Sequence, residues 1–198
     1  MLHSSIVRNK TIFTNIMITI PNKFNIYTDG GCLNNGKKNA ICSIGIHFPE
    51  TNLIPIKDIS KVLNVKKASN NVAELTAIKE SLEIFKSKDI KIPVNIYSDS
   101  KYSINCITKW YPTWEKKGII KTKKNHELIT DIVNLYKSTD NLQFHYIEAH
   151  TGKKDEHSIG NEIADRLASQ ALFEYSNKFE QFDKLKSKPG DITKYFNV

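Results

Sequence analysis

Three stretches near the start of the chain alternate apolar and polar side chains and are rich in β-branched residues: Lys23 to Thr28, Ala40 to Phe48, and roughly Leu53 to Val65. That period of two predicts strands, and the Asn/Gly and Pro/Glu/Thr segments between them predict turns, so the three form an antiparallel meander. From Asn71 to Lys86 the period lengthens. Leu75, Ile78, Leu82 and Phe85 fall on one helical face, with Ser69 and Asn70 as candidate caps. A short apolar strand follows at Ile92 to Tyr97, then a helix from Ser100 to Trp110 that Pro112 is expected to interrupt. A further helix is expected over His126 to Lys137, a last strand over Leu142 to Glu148, and a last helix over Asn161 to Phe173. The order β-β-β-α-β-α-α-β-α describes an α/β (α+β) fold, a mixed sheet with helices on its faces.

The 198 residues suit one domain with short extensions. We divide them into an N-terminal extension (1–22), a folded domain (23–175) and a lysine-rich tail (176–198) that reads as a flexible extension. Apolar residues at 39% and charged residues at 25% are ordinary for a water-soluble globular protein. No apolar run approaches the ~18 residues of a membrane-spanning helix, so no membrane role is expected. Residues 1–22 hold no Asp or Glu but do hold Arg8 and Lys10, which fits an organelle-targeting peptide, an unstructured leader, or a true start at Met17. The three cysteines, Cys32, Cys42 and Cys106, are far apart in sequence and lack the spacing of a zinc site or disulfide framework. An intracellular setting, cytoplasm or nucleus, is the expectation. Twenty-nine basic against 21 acidic residues give a net charge of +8, which favours nucleic acid as partner without specifying it.

Four carboxylates stand out, although each alone has a structural explanation. Asp29 is placed at the end of the first strand, where Gly30 and Gly31 would allow a sharp turn or the close approach of a ligand. Asp99 follows a later strand and would serve equally as a helix cap. Glu74 shares the apolar stripe of its helix, where a charge needs compensation. Asp165 lies at the margin of the stripe of Ala164, Leu167, Ala168 and Ala171, where a surface ion pair would also explain it. Together they would converge on one cleft, and four such charges repel strongly unless cations are bound. Two Mg²⁺, with Mn²⁺ as substitute, would balance them and support phosphodiester hydrolysis.

Tyr27-Thr28-Asp29-Gly30-Gly31, Asn70-Asn71-Val72-Ala73-Glu74-Leu75, Tyr97-Ser98-Asp99-Ser100 and Gly160-Asn161-Glu162-Ile163-Ala164-Asp165-Arg166-Leu167-Ala168 occur in the order that closely resembles type 1 ribonuclease H. The resemblance covers about residues 23 to 173. It implies a ribonuclease H-like fold with a five-stranded mixed sheet, and an endonuclease that cuts the RNA strand of RNA–DNA hybrids, leaving 3′-hydroxyl and 5′-phosphate ends. Asp29, Glu74, Asp99 and Asp165 would be the metal-binding set. His150 would assist proton transfer or product release, with His157 in the same long loop as the alternative.

By the same resemblance Trp110 and Trp114, with Lys116, Lys117, Lys121, Lys123 and Lys124, form a basic protrusion that packs on the DNA strand. Ser69 and Asn125 would hold a DNA phosphate beside Lys67, which stands where the family often has arginine. Asn35, Asn70 and Asn71 would contact base edges or sugars. The alternatives from other classes are a non-catalytic hybrid-binding protein, and another nuclease of the same superfold. Ile192, Tyr195 and Phe196 have the spacing of peptides that dock on sliding clamps, apart from which action as a monomer is expected.

Overall fold

A computed structural model describes residues 23–51 and 54–186. The targeting, leader and clamp-docking expectations for residues 1–22 and 187–198, and the start of the third expected strand at Leu53, lie outside the described residues. Five strands, β1 (Phe24–Leu33), β2 (Ile41–His47), β3 (Ile59–Val62), β4 (Val94–Ser98) and β5 (Leu142–Tyr146), form one sheet in the order β3-β2-β1-β4-β5. The first three pair antiparallel, whereas β4 joins β1 and β5 joins β4 in parallel. The expected fold class and the order of strands along the chain are therefore found, with one more α-helix between β4 and β5 than the two expected.

Strand alternation splits the core between two faces. Phe24 and Ile26 of β1, with Ile44 and Ile46 of β2, pack on one face in a cluster that includes Leu75, Ile78 and Leu82 of α1 (Asn70–Ser87). That cluster also takes in Cys106 and Ile107, which follow α2 (Lys101–Asn105), Tyr111 of α3 (Tyr111–Lys116), and Ile129 and Ile132 of α4 (His126–Lys137). The opposite face of β1, β2 and β3 is covered by α5 (Glu156–Lys186). Here the contact is close, because Gly45 lets the strand lie directly against helix backbone. A Cβ at Gly45 would collide with the Ala164 carbonyl oxygen and come within 2.7 Å of the Ala168 nitrogen. Ser43 and Ser60 bind the same helix, donating to the carbonyls of Ala168 and Leu167 at 2.7 Å each.

Several expectations change. The first strand does not end at Asp29; it continues to Leu33, and Asp29 pairs with Gly45 in mid-strand. Gly30 serves helix approach instead of a turn: a Cβ there would fall on the Glu74 amide nitrogen and within 2.6 Å of the Ala73 carbonyl carbon. The third strand is only four residues long. Pro112 does not break the helical segment. A π-helical turn over Cys106–Trp110, closed by the Tyr111 N–H on the Cys106 carbonyl, precedes it and leaves the proline in the first turn of α3, where its missing N–H costs nothing. The last helix begins at Glu156 and continues to Lys186, five residues earlier and well beyond Phe173, so the first part of the expected flexible tail is helical. Its early start follows from Asp155, whose Oδ1 accepts from the amides of His157 and Ser158, each at 3.1 Å. Finally, Cys32 and Cys42, ten apart in sequence, are direct partners across β1 and β2.

Candidate active site

Ser69 starts the site by capping α1, its side chain accepting from the Val72 amide at 3.3 Å. One turn later Glu74 points from the buried face of α1 toward β1. Asp29 comes from the middle of β1, and Asp99 from the residue after β4, the strand parallel to β1. Ligand atoms of Asp29, Glu74 and Asp99 all lie within 4.8 Å of one another. Glu74 and Asp29 are 6% and 7% exposed, so two carboxylates are removed from water beside a third.

The electrostatic consequence is large. Burial pushes the Asp29 carboxyl up to about 7, with repulsion from Asp99 and Asp165 adding to it; the Gly30 N–H and the positive potential of His150 act in the opposite sense. Glu74 is raised well above the usual carboxylate range, first by burial and then by Asp29 and Asp99. Asp99 is raised by burial and by Asp165. Glu74 Oε1 receives a long 3.4 Å bond from Asn70 Nδ2, the Gly30 N–H also favours its charged form, and its Oε2 is buried with no hydrogen-bond partner. A carboxyl buried among like charges either keeps its proton or, to ionise, requires a cation beside it. The donor set, all carboxylate oxygen, suits a hard divalent ion.

Asp165 stands on α5 outside the 4.8 Å trio, half-buried, yet near enough to raise Asp29 and Asp99. One turn before it, Asn161 is 3% exposed and donates from Nδ2 to Asp99 Oδ2 at 3.4 Å. Sequence reasoning did not single out Asn161; its i, i+4 relation to Asp165 was the available signal. The two histidines have different surroundings. His150 is exposed at φ 53° and faces Asp29 and Asp99 electrostatically. His157 has Nδ1 2.9 Å from the Tyr27 hydroxyl and Nε2 3.4 Å from that of Tyr97, and stacks on the Tyr97 ring at 4.3 Å.

The basic and polar residues gather beside α1. Lys67, Ser69, Lys123, Lys124 and Asn125 line one groove of about 730 Å³. Asn125 adopts a left-handed conformation, φ 61°, at the start of α4. Asn35 is joined to this region because its Oδ1 accepts from the Asn70 amide at 3.1 Å, with Asn71 next on the same helix. Trp110 and Trp114 have ring centroids 6.1 Å apart, and Lys123 Nζ lies 5.6 Å from the Trp114 ring. Trp110 is exposed, whereas Trp114 packs partly against the core. Lys116, Lys117 and Lys121 are exposed around α3 and do not line the groove.

A five-stranded mixed sheet that brings together acids from β1, α1 and the residue after β4 defines a candidate metal-binding α/β fold, and comparison with known proteins specifies it. The family model described as RNase H matches residues 21–173. A ribonuclease H of Ruthia magnifica subsp. Calyptogena magnifica is 33% identical over 156 residues, covering 76% of this chain and 96% of the relative. A probable ribonuclease H of Acanthamoeba polyphaga mimivirus is 37% identical over 143 residues, 69% of this chain and 61% of that one. Among solved structures, LC9-RNase H1, a type 1 enzyme with the type 2 active-site motif, superposes with a TM-score of 0.58 at 21% identity over 75% of this chain and 71% of its own. The chain belongs to the ribonuclease H family and is an enzyme of that class. No helix among the described residues is long and apolar enough to cross a membrane.

Proposed function

We propose that this chain cuts the RNA strand of RNA–DNA hybrids internally, using two Mg²⁺ ions held by Asp29, Glu74, Asp99 and Asp165, and leaves 3′-hydroxyl and 5′-phosphate ends. The observation that carries the reading is the trio of Asp29, Glu74 and Asp99, two of them buried, whose carboxyls are all raised by burial and by repulsion from neighbouring acids. Bound divalent cations would supply the positive charge that ionises this set at neutral pH and would offset charge building at the scissile phosphate. Mn²⁺ is expected to substitute.

The chain's own residues then have distinct tasks. Asn161 holds Asp99 in orientation through its Nδ2. His150, exposed on its loop, moves a proton to or from the departing product, a task for which His157 is poorly placed because both its ring nitrogens face tyrosine hydroxyls. Lys67, Ser69, Lys123, Lys124 and Asn125 receive a phosphate of the DNA strand in their shared groove, with Lys67 as a point charge lacking the planar fork of arginine. Asn35, Asn70 and Asn71 meet the minor groove, where the 2′-hydroxyl distinguishes RNA from DNA. Trp110, Trp114 and the neighbouring Lys116, Lys117 and Lys121 hold the DNA strand by stacking and charge. Because recognition falls on backbone and sugar, little sequence preference is expected.

The test is Mg²⁺-dependent cleavage of a labelled RNA–DNA hybrid beside RNA–RNA and DNA–DNA duplexes. Cleavage confined to the RNA strand of the hybrid is expected. Equal cutting of all three duplexes would overturn the substrate assignment, and binding of hybrid without cleavage would favour a non-catalytic protein.

A further inference from the structure

Cys32 lies near the end of β1 and Cys42 near the start of β2, directly opposite in the antiparallel register. Directly opposed residues in such a pair have Cα atoms ~4.5 or ~5.5 Å apart, both within the span a disulfide bridges. Their sulfur atoms are 3.1 Å apart and both thiols are free. The two differ in access: Cys42 is fully buried, whereas Cys32 is partly exposed. Cys42 has a second neighbour, the Ser69 carbonyl at 3.3 Å, so its sulfur sits between Cys32 and the N-cap of α1. The helix begun by Ser69 carries Asn70, Asn71 and Glu74.

We propose that Cys32 and Cys42 form a redox-active dithiol that closes to an intrachain disulfide on exposure to a peroxide, and that closure loosens the start of α1. The partly exposed Cys32, as thiolate, attacks one peroxide oxygen; the O–O bond breaks, hydroxide leaves, and a sulfenic acid forms. Cys42 then attacks the Cys32 sulfur. The S–O bond breaks, the Cys42 proton goes to the departing hydroxide as water, and the S–S bond forms. Two thiols and one peroxide thus yield one disulfide and two waters. Burial and the Cys32 contact push the Cys42 thiol up, and its lack of access to solvent leaves the partly exposed Cys32 as the first nucleophile.

Closure must bring the sulfurs from 3.1 Å to a bond of about 2.05 Å. It also removes the S–H that Cys42 can donate to the Ser69 carbonyl. The tether between β2 and the cap of α1 is then lost, while the hairpin whose Asn35 binds the Asn70 amide becomes covalently closed. Cys106, buried in the core away from this pair, supplies an internal control.

The experiment treats the full chain with hydrogen peroxide, blocks free thiols by alkylation under denaturing conditions, and maps the digest by mass spectrometry without reductant. A peptide joining Cys32 to Cys42, two hydrogens lighter than its parts, is expected, with Cys106 alkylated and the link removed by dithiothreitol. In the Cys42→Ser variant the same treatment should drive Cys32 on to sulfinic acid, because no resolving thiol remains. Sulfinic Cys32 with Cys42 still alkylated in the unsubstituted chain, or linkage only between two chains, would overturn the dithiol.

The consequence for α1 rests on the proposed hybrid binding and is read separately, by affinity for a labelled hybrid in EDTA. A several-fold weakening on oxidation, reversed by dithiothreitol and unchanged in Cys106→Ser, supports the coupling. Unchanged affinity with the bridge fully formed overturns it. Failure of the reduced chain to bind hybrid at all would instead tell against the functional reading and leave the mapped bridge intact.

Discussion

Replacing Asp29 by asparagine should stabilise the metal-free protein while destroying its activity. The carboxyl of Asp29 is raised from 3.8 to about 7 in the folded chain, and its side chain is almost wholly buried. A raised acid binds its proton more tightly in the native state than in the unfolded one, so stability falls as pH rises through the window from about 3.8 to about 7. At ~1.36 kcal/mol per pKa unit, that window amounts to about 4 kcal/mol of destabilisation at pH 8 and about 2 kcal/mol at pH 5. Asparagine is a neutral isostere of the protonated acid and removes the dependence. The assay is thermal unfolding of both proteins in EDTA at pH 5 and pH 8. At about 2 to 4 °C per kcal/mol for a chain of this size, Asp29→Asn should unfold about 10 °C higher at pH 8, with a smaller gain at pH 5. Added Mg²⁺ should raise the unsubstituted protein and shrink the gap, since a ligand that binds only the folded state stabilises it. A variant less stable than its parent in EDTA at pH 8, or a gain independent of pH, would refute the electrostatic account of the site.

Other outcomes follow from the same geometry. Asp99→Asn should abolish cleavage yet keep hybrid affinity, and bind hybrid more tightly in EDTA because one repulsive charge beside Asp29 and Glu74 is gone; gel-shift and cleavage assays on the same preparation separate the two. His150→Ala should lower kcat by ~10²-fold or more with KM little changed, measured by steady-state cleavage. Lys123→Ala and Lys124→Ala should each weaken binding and reduce the slope of log affinity against log salt by about 1 if each meets a phosphate. Gly45→Ala should cost about 3 kcal/mol or more by urea unfolding, since the added carbon meets the Ala164 and Ala168 backbone, not a side chain that can turn away.

The parts of the molecule that were legible in the sequence are those fixed by local periodicity. Alternation marked the first three strands, the 3.6 period marked α1 and α5, and a charged Glu74 on an apolar stripe already implied a partner in the interior. What stayed hidden depends on which backbones come together. Asp-Gly-Gly reads as a turn because glycine most often serves one, yet Gly30 is there so that the Ala73–Glu74 backbone can lie against β1. The same close approach is what carries the Glu74 carboxylate to Asp29, so the misplaced strand end and the clustering of these two acids have one physical origin. The pairing of Cys32 with Cys42 depends on strand register, which spacing alone does not disclose. Asn161 was missed because an asparagine early in a helix is ordinary until its neighbour across the chain is known to be Asp99. Pro112 was misread as well: the π-turn before it leaves the proline in the first turn of α3, so the helical segment continues, with Trp114 partly packed on the core and Trp110 exposed. The acids could thus be chosen by chemistry, but their convergence is the work of Gly30 and Gly45, two positions whose contribution is the side chain they lack.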